Sequence, residues 1–329
     1  MTKLVTIIGG SGFLGRYIAR RMAQAGWRVR VATRRPSENQ QVRTYGVVGQ
    51  VEPVLCNIRD EESLRAVMTG AEVVVNCVGI LSESGKNRFA AVQAEGAGRV
   101  AKLAHEGGVA RLVQISAIGA DAGSASEYAR TKAAGEEAVM AAFPGAVILR
   151  PSIMFGPEDH FFNRFAGMTR MGPFLPIAYG ETLFQPVYVD DVAQAAAMAA
   201  QGEVPAGIYE LGGPDVRSFR ELMEMMLHEI RRRRVIINMP LFMARMTAGG
   251  LNMLQFLTAG LFTNSVLTRD QLHNLARNNV VAPDAWGFTE LGIQPTPMEL
   301  VLPGYLWRFR PNGQYTAIGE SIKGLRRQD

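Results

Sequence analysis

The chain has few of the residues that staple small proteins or bind metals. It holds two cysteines in 329 residues, Cys56 and Cys77, each inside an apolar run. Two thiols cannot build a disulfide scaffold, and the pair reads as buried and reduced. The four histidines, at positions 105, 160, 228 and 273, lack a ligand spacing, so no metal is expected. Charged residues are 20% against 47% hydrophobic, which excludes intrinsic disorder as a general description. The opening residues, MTKLVTIIGG, run straight into a strand pattern and lack the apolar core and cleavage site of a secretory leader. Internal repeats and low-complexity segments are absent.

The net charge of +5 is unevenly placed. Residues 1–150 hold 19 Lys+Arg against 13 Asp+Glu, and residues 151–329 hold 16 against 17. Basicity therefore belongs to the first half. No basic stripe interleaved with aromatics accompanies it, so nucleic acid is not an expected partner.

That first half alternates short apolar runs with helical patterns. Strands are expected at 4–8, 28–33, 51–56, 72–77, 111–116 and 146–150, with helices at 13–25, 61–68, 90–106 and 128–142. Strands that are apolar throughout and separated by helices argue for a parallel sheet covered on both faces. The expected class is α/β, a Rossmann-like doubly wound parallel sheet with a smaller C-terminal α/β domain. The sheet domain is assigned to residues 1–150, with strand, helix and strand returning near 184–211. Residues 151–329 form the second domain, in which 231–329 are the candidate docking tail.

The strongest motif is GGSGFLG, comprising Gly9, Gly10, Ser11, Gly12, Phe13, Leu14 and Gly15. It follows a strand and opens a helix. Gly10 and Gly12 suit a tight turn close to a pyrophosphate, Gly15 suits close helix–sheet packing, and the helix N-terminus offers free amides to phosphate. About 20 residues further on, where an NAD site carries an acid, stand Arg34 and Arg35. Guanidinium groups match a 2′-phosphate, which points to NADP(H); solvated arginines after a strand remain the alternative.

Further motifs line up with one superfamily. CNIRD, with Asn57 and Ile58, resembles the adenine-side motif of the extended or atypical short-chain dehydrogenases, with Asn57 in place of Asp. NCVG, with Cys77, Val78 and Gly79, resembles the segment beneath the cofactor. Tyr128 and Lys132 match the Tyr-x-x-x-Lys pair, and RPSIMFGP, with Pro151, resembles the loop beside the nicotinamide. VYVDDVAQA, at 187–195, matches the superfamily's substrate-domain signature. The resemblance implies that Lys132 holds the nicotinamide ribose and lowers the pKa of Tyr128, the acid/base. A Ser or Thr past the fifth strand would complete the set. Alignment places Ile118 there, with Ser116 two residues early, so Tyr128 and Lys132 either catalyse or only bind cofactor.

The C-terminal third resembles a narrower family. LTRDQLHNLARNNVV and LGIQPTPMELVLPGYLWRFRPNGQY, together with LRPSIMFGPEDHFFNRFA, are similar to the dehydrogenase-like accessory subunits of respiratory complex I, alpha-subcomplex subunit 9 type, in a bacterial form. This resemblance implies a structural subunit holding NADPH near the junction of the peripheral and membrane arms, close to the quinone site. Other complex I subunits and the lipid surface would be its partners, on the cytoplasmic face of the inner membrane. Residues 246–268 carry no charge and follow the run Arg231–Arg234. Their polar and glycine content makes a poor membrane span, leaving a buried helix or an interfacial one. The competing expectation is a catalytic NADPH-dependent reductase or epimerase, acting on a quinone, a lipid-like carbonyl or a sugar nucleotide.

Overall fold

The computed structural model describes residues 3–239 and 269–313. Seven strands form one sheet: β1 (Leu4–Ile8), β2 (Arg28–Thr33), β3 (Val51–Leu55), β4 (Val73–Asn76), β5 (Arg111–Ile115), β6 (Val147–Pro151) and β11 (Gly207–Leu211). Their order is β11-β6-β5-β4-β1-β2-β3, and every pairing is parallel. The order reverses direction at β1, so the crevice beyond the ends of β1 and β4 is where such sheets take ligands. The strands are apolar because both faces are covered. Val5 and Ile7 join the core beneath α1 (Phe13–Gln24) and α6 (Val189–Gln201), whereas Ile8 joins the core beneath α2 (Glu61–Met68), α3 (Glu95–Glu106) and α4 (Glu127–Ala142). The alanine run of α6, with Ala193, Ala196 and Ala200 fully buried, lets that helix lie close to α1.

Helix ends are set by local chemistry. Asp60 caps α2 by accepting from the amides of Glu62 and Ser63 at 3.0 and 3.4 Å. The pattern expected as one helix over 90–106 instead starts with a wide, π-type turn at Ala90–Ala94. That turn brings the Gln93 carbonyl against the backbone of Gly135 on α4, where a side chain would collide, and aims the Gln93 amide at the Ile80 carbonyl, 2.7 Å away.

After β6 come β7 (Met154–Phe155), α5 (Phe162–Met168) and β8 (Phe174–Ile177). The strand expected to open the 184–211 return is two short ones, β9 (Leu183–Phe184) and β10 (Val187–Tyr188). Pro186 lies between them without an amide to donate, and the halves pair differently. β9 is antiparallel to β12 (Arg217–Ser218), and β10 is parallel to β7. α7 (Phe219–Glu229) opens on a capping box between Ser218 and Glu221. β13 (Val235–Asn238) pairs with β8. α8 (Arg269–Leu275), α9 (Met298–Val301) and α10 (Pro303–Leu306) follow. A separate aromatic-rich core, including Phe155, Phe162, Phe184, Phe219 and Tyr305, holds this second region together. No helix among the described residues is long and apolar enough to cross a membrane. The uncharged run 246–268 lies outside the described residues.

Candidate nucleotide-binding site

A cavity of about 610 Å³ opens at the ends of β1, β2 and β4. It is lined by Gly9, Ser11, Gly12, Arg34, Arg35, Asn57, Ile58, Cys77, Val78 and Gly79 among the expected residues. Thr33, Glu38, Asn39 and Arg59 also line it, and the motifs did not single these out.

The glycine loop divides its tasks differently from the expectation. Gly12 faces the cavity and is the N-cap of α1, which has no acidic residue in its first turn. The first amides of α1 and its dipole therefore favour an anion. Gly10 turns inward instead, where a Cβ would stand 2.9 Å from the Ile7 carbonyl oxygen. Gly15 lets α1 close onto the loop itself, since a Cβ there would stand 2.6 Å from the Gly10 Cα. Leu14 is buried and Phe13 packs edge-on against Tyr17, so neither lines the cavity. The Ser11 and Thr33 hydroxyls, 2.9 Å apart, tie the loop to the end of β2.

The two arginines are not equivalent. Arg35 pairs with Glu38 at 3.3 Å, both side chains largely exposed. Arg34 is exposed and, alone of the two, lacks a carboxylate partner among the described residues. Asn57 Oδ1 accepts from the Arg59 amide at 3.2 Å, shaping the opposite wall. Beneath it, buried Asn76 donates to Gln114 at 2.9 Å and accepts from the Val78 amide at 3.2 Å, which fixes the Cys77–Gly79 floor. Burial pushes the Cys56 thiol up to about 11 and the Cys77 thiol up to about 12, so both are poor nucleophiles at neutral pH.

Tyr128, Lys132, Ser116 and Pro151 lie beyond the cavity rather than in its wall. Lys132 is the nearest: its Nζ lies 3.4 Å from where a Cβ on Gly79 would stand. The same Nζ donates to the Ile115 carbonyl at 3.4 Å. Burial drives Lys132 down to about 8, opposed by Glu136 and Cys77. Tyr128 departs from the expected lowering: burial, then the Asp270 carboxylate, pushes its phenol up to about 12. The Lys132 nitrogen sits 5.9 Å from the Tyr128 ring centre, and Phe89 packs edge-on against that ring. The third position is apolar and closed. Ile118 is buried, and its amide donates to the Pro151 carbonyl at 3.1 Å. Ser116 donates its hydroxyl to Glu136, which is itself held by Arg150 at 2.6 Å. Arg150 also reaches Glu210 at 3.3 Å. This largely buried acid–base chain, which runs from the end of β5 through α4 and β6 to β11, was not expected, because it joins residues far apart in sequence. Among the described residues no cluster of His, Cys, Asp or Glu suits a metal.

Residues 5–212 match the NAD dependent epimerase/dehydratase family. A subunit named NADH dehydrogenase [ubiquinone] 1 alpha subcomplex subunit 9, mitochondrial, of Arabidopsis thaliana is 36% identical over 316 residues, covering 94% of this chain and 79% of that one. A ceramide reductase of Caulobacter vibrioides is 33% identical over 242 residues, 72% of this chain and 74% of its own. A solved dTDP-glucose 4,6-dehydratase, DesIV from Streptomyces venezuelae with NAD and TYD bound, superposes with a TM-score of 0.69 at 20% identity, covering 93% of this chain and 96% of that one. The seven-stranded parallel sheet, its glycine loop and these likenesses agree: the chain belongs to the NAD dependent epimerase/dehydratase family, within which it is a homologue of the complex I alpha subcomplex subunit 9 proteins.

Proposed function

We propose that this protein is an accessory subunit of respiratory complex I that holds NADP(H) as a structural group and does not turn it over. The observation that carries this reading is the 36% identity to a complex I subunit over 94% of the chain, tail included. The site geometry supports it. The adenine and phosphate end is open and basic, while the end that would carry out hydride chemistry is closed: Ile118 replaces a hydroxyl, Ser116 is committed to Glu136, and Tyr128 titrates upward. The residues that would hold the nucleotide are the Gly9–Gly12 turn and the α1 amides for the pyrophosphate and Arg34 for a 2′-phosphate. Asn57 and Ile58 would hold the adenine side, and Lys132 the far ribose. A bound dinucleotide would cross-link β1, β2 and β4 and stabilise the fold by mass action.

The docking face we assign lies in the second region, on the cytoplasmic side of a bacterial inner membrane near the arm junction and quinone site. Arg232, Arg234 and Arg170 spend donors on the carbonyls of Phe309, Thr169 and Arg308, at 2.8, 2.9 and 2.7 Å. None of the three has a carboxylate within ion-pair distance among the described residues, so their charge is available to headgroups or an acidic partner surface. Exposed Met171 follows Arg170, and exposed Phe174, Val235 and Ile237 lie on the paired β8 and β13.

The test is nucleotide analysis of the purified protein. NADP(H) should be released on denaturation, and bound NADPH should survive hours with a panel of quinones and carbonyls. The second reading, a reductase, is favoured by the Tyr128–Lys132 pair and the ceramide reductase relative. Steady NADPH consumption that stops in Tyr128→Phe would establish it in place of the first.

A further inference from the structure

Beyond the cavity, the N-terminus of α4 is met by a segment from the other end of the chain. Asp270, on α8, places its carboxylate at the N-terminus of α4. Its Oδ1 accepts from the Glu127 amide at 2.7 Å, and its Oδ2 accepts from the Ser126 hydroxyl at 2.9 Å and the Tyr128 amide at 3.3 Å. Ser126 is the N-cap of that helix and accepts from the Ala129 amide at 3.3 Å. So Asp270 satisfies two orphan amides, steadies the capping hydroxyl, and sets a negative charge at the positive end of the helix dipole.

The same segment is fastened at two more points. Arg277 pairs with Asp121 at 2.8 Å, in the loop after β5. Asn279 accepts from the Ser152 hydroxyl at 2.6 Å and the Ile153 amide at 3.2 Å, in the loop after β6, and donates to the Ile118 carbonyl at 3.3 Å. Residues 270–279 therefore join the β5 loop, the β6 loop and the start of α4. Of these pieces, the β5 loop carries Ile118 and α4 carries Tyr128 and Lys132.

We propose that Asp270 is a positioning residue for the nucleotide site: through α4 it sets Lys132 beside the Gly79 floor, so that nucleotide binding and the closure of residues 269–281 onto α4 stabilise each other. The coupling is reciprocal by thermodynamic necessity. It gives the C-terminal segment a way to sense whether the cleft is filled. The inference rests on the reading of the cleft as a dinucleotide site, to which it adds a regulatory contact. Burial, with the Asp270 carboxylate adding to it, raises the Tyr128 phenol, in keeping with the same contact.

The test uses the full chain with NADPH as probe, measuring affinity by NADPH fluorescence and backbone exchange by deuterium uptake. In the wild type, NADPH should slow exchange over residues 269–281 as well as around the glycine loop. Asp270→Ala should weaken NADPH on the order of tenfold and abolish the protection over 269–281 while the glycine-loop protection remains. Asp270→Asn, which keeps one acceptor oxygen, should fall between. A purely structural role would lower the melting temperature without removing that ligand-dependent protection. Wild-type affinity and wild-type protection in Asp270→Ala would overturn the role of Asp270 alone. A wild type that binds no NADPH would overturn the dinucleotide reading and this inference with it. If Asp270→Ala does not fold, Ser126→Ala removes one of the three bonds, and an unchanged NADPH affinity in that variant would overturn the proposal.

Discussion

The two ends of the cleft are built on opposite plans. At the glycine-loop end, backbone amides, an exposed guanidinium and an open cavity leave donors waiting for an anion. At the Tyr128 end the polar groups that surround the Tyr–Lys pair are already spent. Ser116 is on Glu136, Glu136 is on Arg150, Asn279 is on Ser152, and the N-terminus of α4 is on Asp270. Waiting donors suit binding, and spent donors suit structure. On the proposed reading, a fold shaped for hydride transfer would keep its grip on the nucleotide while internal bonds fill the reacting end.

The contrast can be broken or sharpened by substitution. The largest effect is expected at the closed end. Glu136→Ala strips a buried charge partner from Arg150 and an acceptor from Ser116, and should cost about 3–5 kcal/mol in urea unfolding. A loss below about 1 kcal/mol, the worth of a surface pair, would show that the chain is not structural.

At the open end, Arg34→Ala should weaken NADPH by roughly 1.5–3 kcal/mol, the worth of a charge-assisted hydrogen bond, and leave NADH unchanged. Arg35→Ala should matter less, because Glu38 already offsets that charge. Equal losses for NADPH and NADH would remove the case for a 2′-phosphate clamp.

Lys132 carries a pH signature. Its pKa in the folded chain is lowered to about 8, below the ordinary 10.5, so between these values the unfolded chain binds more protons. Stability without nucleotide should therefore rise with pH across that window as the buried charge is shed. Lys132→Met should stabilise most below pH 8, with the gain fading towards pH 10.5 in thermal unfolding profiles. The smallest effect is expected for Tyr128→Phe, which should leave NADPH affinity within about twofold, since the phenol belongs to the closed end.

Much of this was legible in the sequence. The six strands of the first half and the glycine loop have local signatures, because a doubly covered parallel strand must be apolar and a phosphate turn must be glycine-rich. The place of Arg34 in the cavity wall followed from its spacing, and that of Asn57 and Gly79 from the family resemblance of CNIRD and NCVG. The division of labour among the glycines did not, since inward-facing Gly10 and cavity-facing Gly12 look alike in one dimension. Nor did the clasp: Asp270 meets Tyr128 across 142 positions, and an Asp in a short polar helix carries no local mark of its partner. The Glu136 chain was hidden for the same reason, although Tyr128, Lys132 and Glu136 share the i, i+4 spacing that puts them along one face of α4. The split of the strand that opens the 184–211 return went unforeseen, although Pro186, which has no amide to donate, marks it.

The central claim is that this chain is a nucleotide-holding structural subunit. The most direct test is mass spectrometry of membranes solubilised in mild detergent, reading partners and bound nucleotide together. The account predicts this chain in one assembly with other complex I subunits, carrying NADP(H) at close to one per chain. Recovery of the chain free of complex I subunits, turning over NADPH with a small substrate, would contradict it.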